Sequence, residues 1–415
     1  MSTSGSKLRI AHFADVQIGD SYGLGDDDRG GYNSRLDDYR STFVSLCNSI
    51  VNFEPPIDLV VMPGDLYEKA DPSSTEIAFA KEGIDILTSC LEVHMIPGNH
   101  DLHRQVRRKN ALATLGRHNN LFVWNEPGVV PVNVQRSGRC VALAFFPYVV
   151  RNHVAANDPG FDKLTIDEQN ERIVELSLRV LHKLGAEADQ YKYPFGSVLL
   201  AHGTISGSSS AKSDTRFFRD PALPVSELIG LPFRYQAWGH IHERQVLYPG
   251  IAYSGSIERG DFNDITAPKG WWLVTLDGEN PDFDEMEFQE VETRPLVDIE
   301  LQDVDKHRDY DAFRANLGET VKDAIVRVRY SATPEQRKTI DDAAIKRELL
   351  AAGAVKVHGP IVETIHTITE RTNVVTEEAD MQTALQQYLV LQGLEEARVD
   401  RLTEKVRKSM EVVNA

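Results

Sequence analysis

Leu91-Glu92-Val93-His94-Met95-Ile96-Pro97-Gly98-Asn99-His100-Asp101 is a short, mostly apolar run closed by Pro-Gly and followed at once by an amide, an imidazole and a carboxylate. A buried strand that ends this way sets polar groups at the lip of a sheet, where the chain leaves the core. The same layout occurs upstream, in Leu59-Val60-Val61-Met62 followed by Pro63-Gly64-Asp65. Leu8 to Ala14 is a third such run and ends at Asp15-Val16-Gln17.

The segments between these strand ends have a different period. Phe43, Leu46, Cys47, Ile50 and Val51 recur at helical spacing, so Asp37 to Phe53 is predicted as an amphipathic helix. Ser73 with Glu76 has the form of a capping box, and Ile77, Ala80, Ile84 and Leu87 carry that helix to about Cys90. Strand, helix, strand, helix, strand predicts an α/β fold whose sheet is covered by helices. Leu121–Trp124, Cys140–Phe146, Ser197–Ala201, Tyr235–Trp238 and Trp271–Leu276 are further predicted strands, and residues 166–185 a helix. The Gly- and Asp-rich stretch 19–31 and the Ser- and Gly-rich stretch 204–216 read as loops.

Two more strand ends carry donors. Ser197–Ala201 ends at His202-Gly203, and Tyr235–Trp238 ends at Gly239-His240-Ile241-His242. Asp15, Asp65, Asn99, His202, His240 and His242 therefore fall on the edge of an α/β sheet where ligands bind. Carboxylates, an amide oxygen and imidazoles suit Mn, Fe or Zn, in number enough for a dinuclear centre. Asp65, central in this order, is the candidate bridge. Two cations about 3.5–4 Å apart can activate a water and neutralise phosphoryl oxygens in an in-line attack. Any one of these residues alone has a commoner explanation as a turn, a cap or a surface group; the ordered set does not.

Composition narrows the classes. At 415 residues the chain is long for one domain, and 41% hydrophobic residues can fill a core. A formal net charge of −18 argues against nucleic-acid binding through global basicity. It leaves open binding through metals and a local basic patch. Cys47, Cys90 and Cys140 form no C-x-x-C pair and suit a reducing compartment. Residues 1–9 have no apolar core and no run approaches a membrane span, so the expectation is a soluble, cytoplasmic protein without a membrane partner.

The character changes near residue 290. Phe288–Glu300 and Ala324–Tyr330 alternate apolar and polar residues, Ile340–Ala352 is predicted helical and Val355–Ile368 extended. Met381, Leu385, Tyr388 and Leu389 form one helical stripe, and Leu402, Val406 and Met410 another.

On these motifs the chain resembles the calcineurin-like metallophosphoesterases and, more narrowly, the SbcD-type DNA nuclease subunit, a relative of the meiotic-recombination-eleven nuclease. Tyr248-Pro249-Gly250, Tyr253-Ser254-Gly255-Ser256-Ile257-Glu258-Arg259 and Lys269-Gly270 resemble the sequence that follows Gly-His-x-His in that branch. The resemblance implies a four-layer sheet sandwich flanked by helices over 1–290, a small α+β capping domain over 291–376 and a helical partner-docking tail over 377–415. It implies a dinuclear Mn centre, with Mg, Fe or Zn as alternatives. Asp15, Asp65 and His242 would hold the first metal; Asp65, Asn99, His202 and His240 the second. His100 would contact the scissile phosphate and Asp101 would orient His100. The implied partners are DNA, an SbcC-type coiled-coil ATPase bound through the C-terminal helices, and a second copy in a homodimer.

One position departs from the family, which has Asp-x-His where this chain has Asp15-Val16-Gln17. Gln17 can ligate through its amide oxygen, a weaker donor than imidazole, so a looser first site is expected. Glu68 stands where the family often has Asp or His, and its role is open. Arg104, Arg107, Arg108 and Lys109 follow the Gly98–Asp101 motif and are candidate contacts to a DNA backbone, against the plainer reading of a solvated segment. Two other readings share the motifs: a phosphodiesterase acting on a small nucleotide, and a weakly catalytic scaffold protein that has lost a metal at Gln17.

Overall fold

The computed structural model describes residues 7–19, 23–25, 33–103, 105, 108–209, 220–301, 317–365, 385–386, 389–390 and 396–413. In chain order the first strands are β1 (Lys7–His12), β2 (Leu59–Pro63), β3 (Glu92–Ile96), β4 (Leu121–Val123), β5 (Gly128–Asn133), β6 (Cys140–Phe146) and β7 (Ser197–His202). They are followed by β8 (Thr204–Ile205), β9 (Ala222–Leu223), β10 (Tyr235–Gly239), β11 (Gln245–Tyr248), β12 (Ile251–Tyr253), β13 (Gly270–Asp277) and β14 (Glu285–Glu290). Helices α1 (Arg35–Val51), α2 (Ser74–Thr88), α3 (Arg151–Asn157) and α4 (Ile166–Ala188) lie between them.

These strands build two six-stranded sheets, ordered β14-β13-β1-β2-β3-β4 and β11-β12-β10-β7-β6-β5. β1 to β4 run parallel, as do β6, β7, β10 and β12, while the antiparallel strands sit toward the edges. Parallel strands covered on both faces must be apolar on both faces, and alternate residues divide accordingly. Val60, Met62, Val93 and Met95 pack with Phe43, Leu46, Cys47 and Ile50 of α1 and Ile84 and Leu87 of α2. Leu59, Val61 and Ile96 point the other way and meet Leu143, Phe145, Val198, Leu200 and Ala237 of the second sheet. The far face of that sheet, through Ala144, Phe146, Leu199, Ala201 and Trp238, packs with Leu181 and Leu184 of α4. The result is the four-layer helix–sheet–sheet–helix sandwich that the sequence implied. Each fully buried Val, Leu or Phe stabilises it by about 1.5–3 kcal/mol.

Local signals set several boundaries. The Ser73–Glu76 capping box forms, with Glu76 N donating to Ser73 Oγ at 3.3 Å. Helix α1 starts earlier than its apolar period indicated. Asn33 Oδ1 accepts from Arg35 N at 2.9 Å, and the Arg35 guanidinium is drawn inward to Glu258, both side chains having no exposure. Strand β5 escaped sequence analysis because it contains Pro131. It lies at the edge of its sheet, where a missing N–H breaks no inner ladder.

The alternating stretch Phe288–Glu300 is divided between two strands. Phe288 belongs to β14, which pairs with β13 and sets its ring against Trp272 at a centroid distance of 5.1 Å. A new strand, β15 (Leu296–Leu301), starts after Pro295 and joins β16 (Ile325–Ala332) and β17 (Lys356–Thr364) in a three-stranded sheet. The helix Asp342–Ala351 buries Ala344, Ile345 and Leu349. By contact density the chain divides into two units, Met1–Glu300 with Asp309–Arg329 and Asp342–Ile361, and Leu301–Arg308 with Tyr330–Asp341 and Val362–Ala415. Within the larger unit Leu296 and Ile325 share an apolar cluster with Leu24 and Phe262, and Arg294 pairs with Asp38 at 2.6 Å. In the smaller unit Glu396–Val413 is helical, with Leu402 on its exposed side. Met381 and Tyr388 lie outside the described residues. Among the described residues no helix is long and apolar enough to cross a membrane.

Candidate metal centre

The C-terminal ends of β1, β2 and β3 meet those of β7 and β10 along one rim of the two facing sheets. Asp15, Asp65 and His202 each bring a ligand atom within 4.8 Å of the others. The approach is close enough to dictate small residues. A Cβ on Gly98 would collide with Asp65 Oδ1, and one on Gly239 with the Pro63 carbonyl of the opposite sheet. Asp15, Gln17, Asp65 and His240 have φ of 53°, 50°, 57° and 105°. Side chains other than glycine are uncommon at such angles, and the strain collects at functional sites.

Asn99 stands between two imidazoles. Its Oδ1 is 2.9 Å from His202 Nε2 and 2.8 Å from His240 Nδ1. His202 Nδ1 is 2.7 Å from the Pro63 carbonyl, which can only accept, so this nitrogen carries the ring proton and Nε2 is the nitrogen that can present a lone pair inward. His240 Nε2 meets Asp220 Oδ2 at 3.1 Å, and His240 N donates to both oxygens of Asp15 at 3.0 Å. Asp65 Oδ2 is 3.5 Å from His202 Nε2. Ring nitrogens, the Asn99 amide and a buried carboxylate converge on one point. A divalent cation accounts for that arrangement, and the O/N donor set fits Mn, Fe or Zn.

The electrostatics of the metal-free chain agree. Burial raises the Asp15 carboxyl to about 7, against the opposing charge of His202. Burial also penalises the Asp65 carboxylate, but the His202 charge and hydrogen bond hold it below the usual carboxylate range. His202 is disfavoured as a cation by burial, yet Asp65 and Asp15 lift it to about 9. Burial depresses His240, and burial with the Lys269 charge brings His242 down to about 4. The chain without metal stores protons among its carboxylates and His202, and a cation displaces them.

On the other side of Asp65, Gln17 Nε2 is 2.9 Å from His242 Nε2 and 3.5 Å from Asp65 Oδ2. The Gln17 amide thus reaches the space between the two groups implied as first-metal ligands, and a half-turn of the amide exchanges its nitrogen for its oxygen there. Behind them, buried Lys269 donates to Ser256 Oγ at 2.7 Å and to the His242 carbonyl at 3.3 Å. This connects the Ser256 and Lys269 motifs to the site.

Asp101, the last residue of the Gly98–Asp101 motif, is fully buried. Its carboxylate accepts from the backbone N–H groups of Asp65 (2.9 Å), Gly98 (3.0 Å) and Tyr67 (3.1 Å) and binds two strand ends together. Burial, with the Asp65 charge adding to it, raises this carboxyl to about 7. The His100 ring is held instead by the Glu68 carbonyl, 2.6 Å from Nδ1, and His100 N donates to Asp65 Oδ1 at 2.9 Å. Nε2 of His100 is thereby turned away from the Glu68 carbonyl. A main-chain carbonyl leaves no trace in a sequence, which is why this partner was missed, as was the Pro63 carbonyl under His202.

Of the basic cluster, Arg104 and Arg107 lie outside the described residues. Arg108 forms a two-bond pair with Asp71, at 2.7 and 3.0 Å, and Lys109 is exposed.

A sandwich with this rim defines a metal-dependent phosphoesterase. The calcineurin-like phosphoesterase family model matches residues 8–244, more than half of the chain, and the chain belongs to that family. Among curated relatives it is 27% identical over 359 residues to the DNA double-strand break repair protein Mre11 of Archaeoglobus fulgidus, covering 82% of this chain and 72% of that one. It is 25% identical over 309 residues to Mre11 of Methanocaldococcus jannaschii, covering 71% and 70%. It is 27% identical over 247 residues to the SbcD component of the nuclease SbcCD of Staphylococcus epidermidis, covering 59% and 61%.

Proposed function

We propose that this chain is a metal-dependent DNA exonuclease and endonuclease that processes DNA ends in repair or recombination. The observation that carries the chemistry is the convergence of Asn99 Oδ1, His202 Nε2 and His240 Nδ1 beside Asp65. The DNA substrate is supported by the relatives named for break repair and for nuclease activity.

In this reading Asp65, Asn99, His202 and His240 would hold one cation, and Asp15, Asp65 and His242, with the Gln17 amide, would hold the other. Bound there, the cations, Mn by preference, would supply the Lewis acidity that activates a water and offsets charge on the phosphoryl oxygens. The water oxygen would bond to phosphorus as the bond to the leaving deoxyribose oxygen breaks, the water giving up a proton to solvent. No covalent enzyme intermediate forms. The Glu68 carbonyl holds His100 by Nδ1, so Nε2 can bond a phosphoryl oxygen and hand a proton to the leaving oxygen. Asp101 keeps Asp65 and Gly98 in register. Lys109, with Arg104, Arg107 and Arg108, would grip the DNA backbone. Segment 291–376 would cap the site and help select DNA. The helices after residue 377 would dock an SbcC-type ATPase, with the nuclease paired as a homodimer.

Degradation of linear duplex DNA with Mn, Mg or chelator tests the reading, with His100→Ala as the control. Mn-dependent degradation lost in His100→Ala is the expected result. Hydrolysis of small nucleotide diesters with DNA left intact sinks it in favour of the small-substrate alternative. Truncation after residue 376 tests the tail: ATPase binding should be lost with nuclease activity retained.

The 2.9 Å contact between Gln17 and His242 favours one further reading, a chain with a single cation that is weakly active or inactive as a nuclease. One tightly bound Mn per chain, with no nuclease activity in excess Mn, would establish it.

A further inference from the structure

We propose that Asp220 is a positioning residue of this site, fixing the tautomer of His240 so that Nδ1, not Nε2, carries the lone pair offered to a cation. The inference rests on the metal-site reading above and extends it to a residue outside every motif that identified the site.

The geometry is specific. Asp220 Oδ2 lies 3.1 Å from His240 Nε2, an acceptor on the outer side of the ring that favours the tautomer with its proton on Nε2. A neutral imidazole with its proton there has a bare Nδ1, and Nδ1 faces the Asn99 amide at 2.8 Å, which can share a cation with it through oxygen or, turned by a half-turn in the metal-free chain, donate to it through nitrogen. His202 turns the opposite nitrogen to Asn99, its Nδ1 proton going to the Pro63 carbonyl and its Nε2 facing Asn99. The two rings thus enter the same point in opposite orientations, each set by an acceptor on its outer side. Pro63 belongs to β2 and its carbonyl comes with the strand. Asp220 comes from the segment just before β9 and is an independent addition.

The other described contacts of His240 fix where the ring lies. Its backbone N–H is held by the Asp15 carboxylate, and the ring packs against Tyr148 at a centroid distance of 5.7 Å and against His202 at 5.2 Å. Ring contacts of that kind do not choose between the nitrogens. A carboxylate behind a ligating imidazole also raises its basicity, and losing such a partner weakens metal affinity about 10–100-fold.

Two variants separate the acceptor from the charge. Asp220→Ala removes both; Asp220→Asn keeps an oxygen that can accept from Nε2 and removes the charge. In the metal-free chain, ring-15N histidine spectra should show His240 as the Nε2–H tautomer in the native chain and in Asp220→Asn, and as a mixture in Asp220→Ala. Mn titration should show one site weakened about 10–100-fold in Asp220→Ala, less in Asp220→Asn, with the other site unchanged. An unchanged tautomer in Asp220→Ala, or two Mn sites of native affinity in both variants, overturns the proposal. If the native chain binds no Mn, the metal-site reading fails, and the metal-free spectra still decide what Asp220 does to His240.

Discussion

Replacing Asp101 by Ala separates two accounts of the Gly98–Asp101 motif. If Asp101 served to orient His100, its loss would slow the reaction and leave folding stability almost unchanged. The structure points to the opposite balance. The Asp101 side chain has no exposure, and its oxygens accept from three buried backbone N–H groups, those of Asp65, Gly98 and Tyr67. Leaving a buried donor without a partner costs about 1–3 kcal/mol each, so the three together cost about 3–6 kcal/mol after partial relaxation. With an m-value near the upper end of the usual range for urea, about 3 kcal/mol/M, the midpoint should fall by about 1–2 M. Asp101→Asn retains one accepting oxygen and turns an N–H₂ toward a donor, so its loss should be intermediate. Urea unfolding followed by tryptophan fluorescence, together with Mn titration, makes the measurement. Metal affinity should fall as well, because Asp65 N and Gly98 N anchor the strand ends that carry Asp65 and Asn99. An unfolding midpoint within about 0.2 M of the native value for Asp101→Ala, beside a large loss of activity, would refute the structural role.

Four other outcomes follow from named contacts. His100→Ala should lower DNA hydrolysis by about 10²–10⁴-fold while Mn binding is retained, read by steady-state assay and titration in parallel. Gln17→His should raise the Mn bound per chain toward two at low free Mn held by equilibrium dialysis, since imidazole is a better donor than an amide at this position. Glu258→Ala should cost about 1–3 kcal/mol, because it removes one acceptor of the buried Arg35 guanidinium while the Asp38 pair at 2.8 Å remains, and pairing it with Arg35→Met should recover part of the loss in urea unfolding. His12 is buried beside the Tyr235 hydroxyl and pushed down to about 3 by burial, so its neutral form is the folded one. Because its folded pKa lies below the unfolded value, its stabilisation is complete above about pH 6.5 and falls by about 1.4 kcal/mol per pH unit below that, until about pH 3. The difference in stability between the native chain and His12→Gln, measured from pH 7 to 4, should show that slope.

Much of the fold was legible because buried parallel strands are apolar on both faces and amphipathic helices on one. Lys7–His12, Leu59–Pro63, Glu92–Ile96 and Ser197–His202 sit within a residue or two of their sequence-based limits. The exceptions have local causes. Pro131 disguised an edge strand, and Pro295 divided what alternation had joined. The donors of the site were legible for a related reason: a strand that leaves the core must end, and a polar ending on Asp65, Asn99, His202 or His240 stands out against an apolar run.

From the amino-acid order alone come the layers and the candidate donors, since periodicity and strand endings are local properties of the chain. Only the tertiary structure decided how those donors are held. The Glu68 carbonyl on His100, the Pro63 carbonyl on His202, the three N–H groups on Asp101 and the Asp220 carboxylate on His240 are contacts across the fold. Two of these partners are backbone carbonyls, which every residue carries, and Asp220 is a lone acid in a polar stretch. Neither kind of group has a sequence pattern, and their effect on proton position arises only when folding brings them within hydrogen-bond distance.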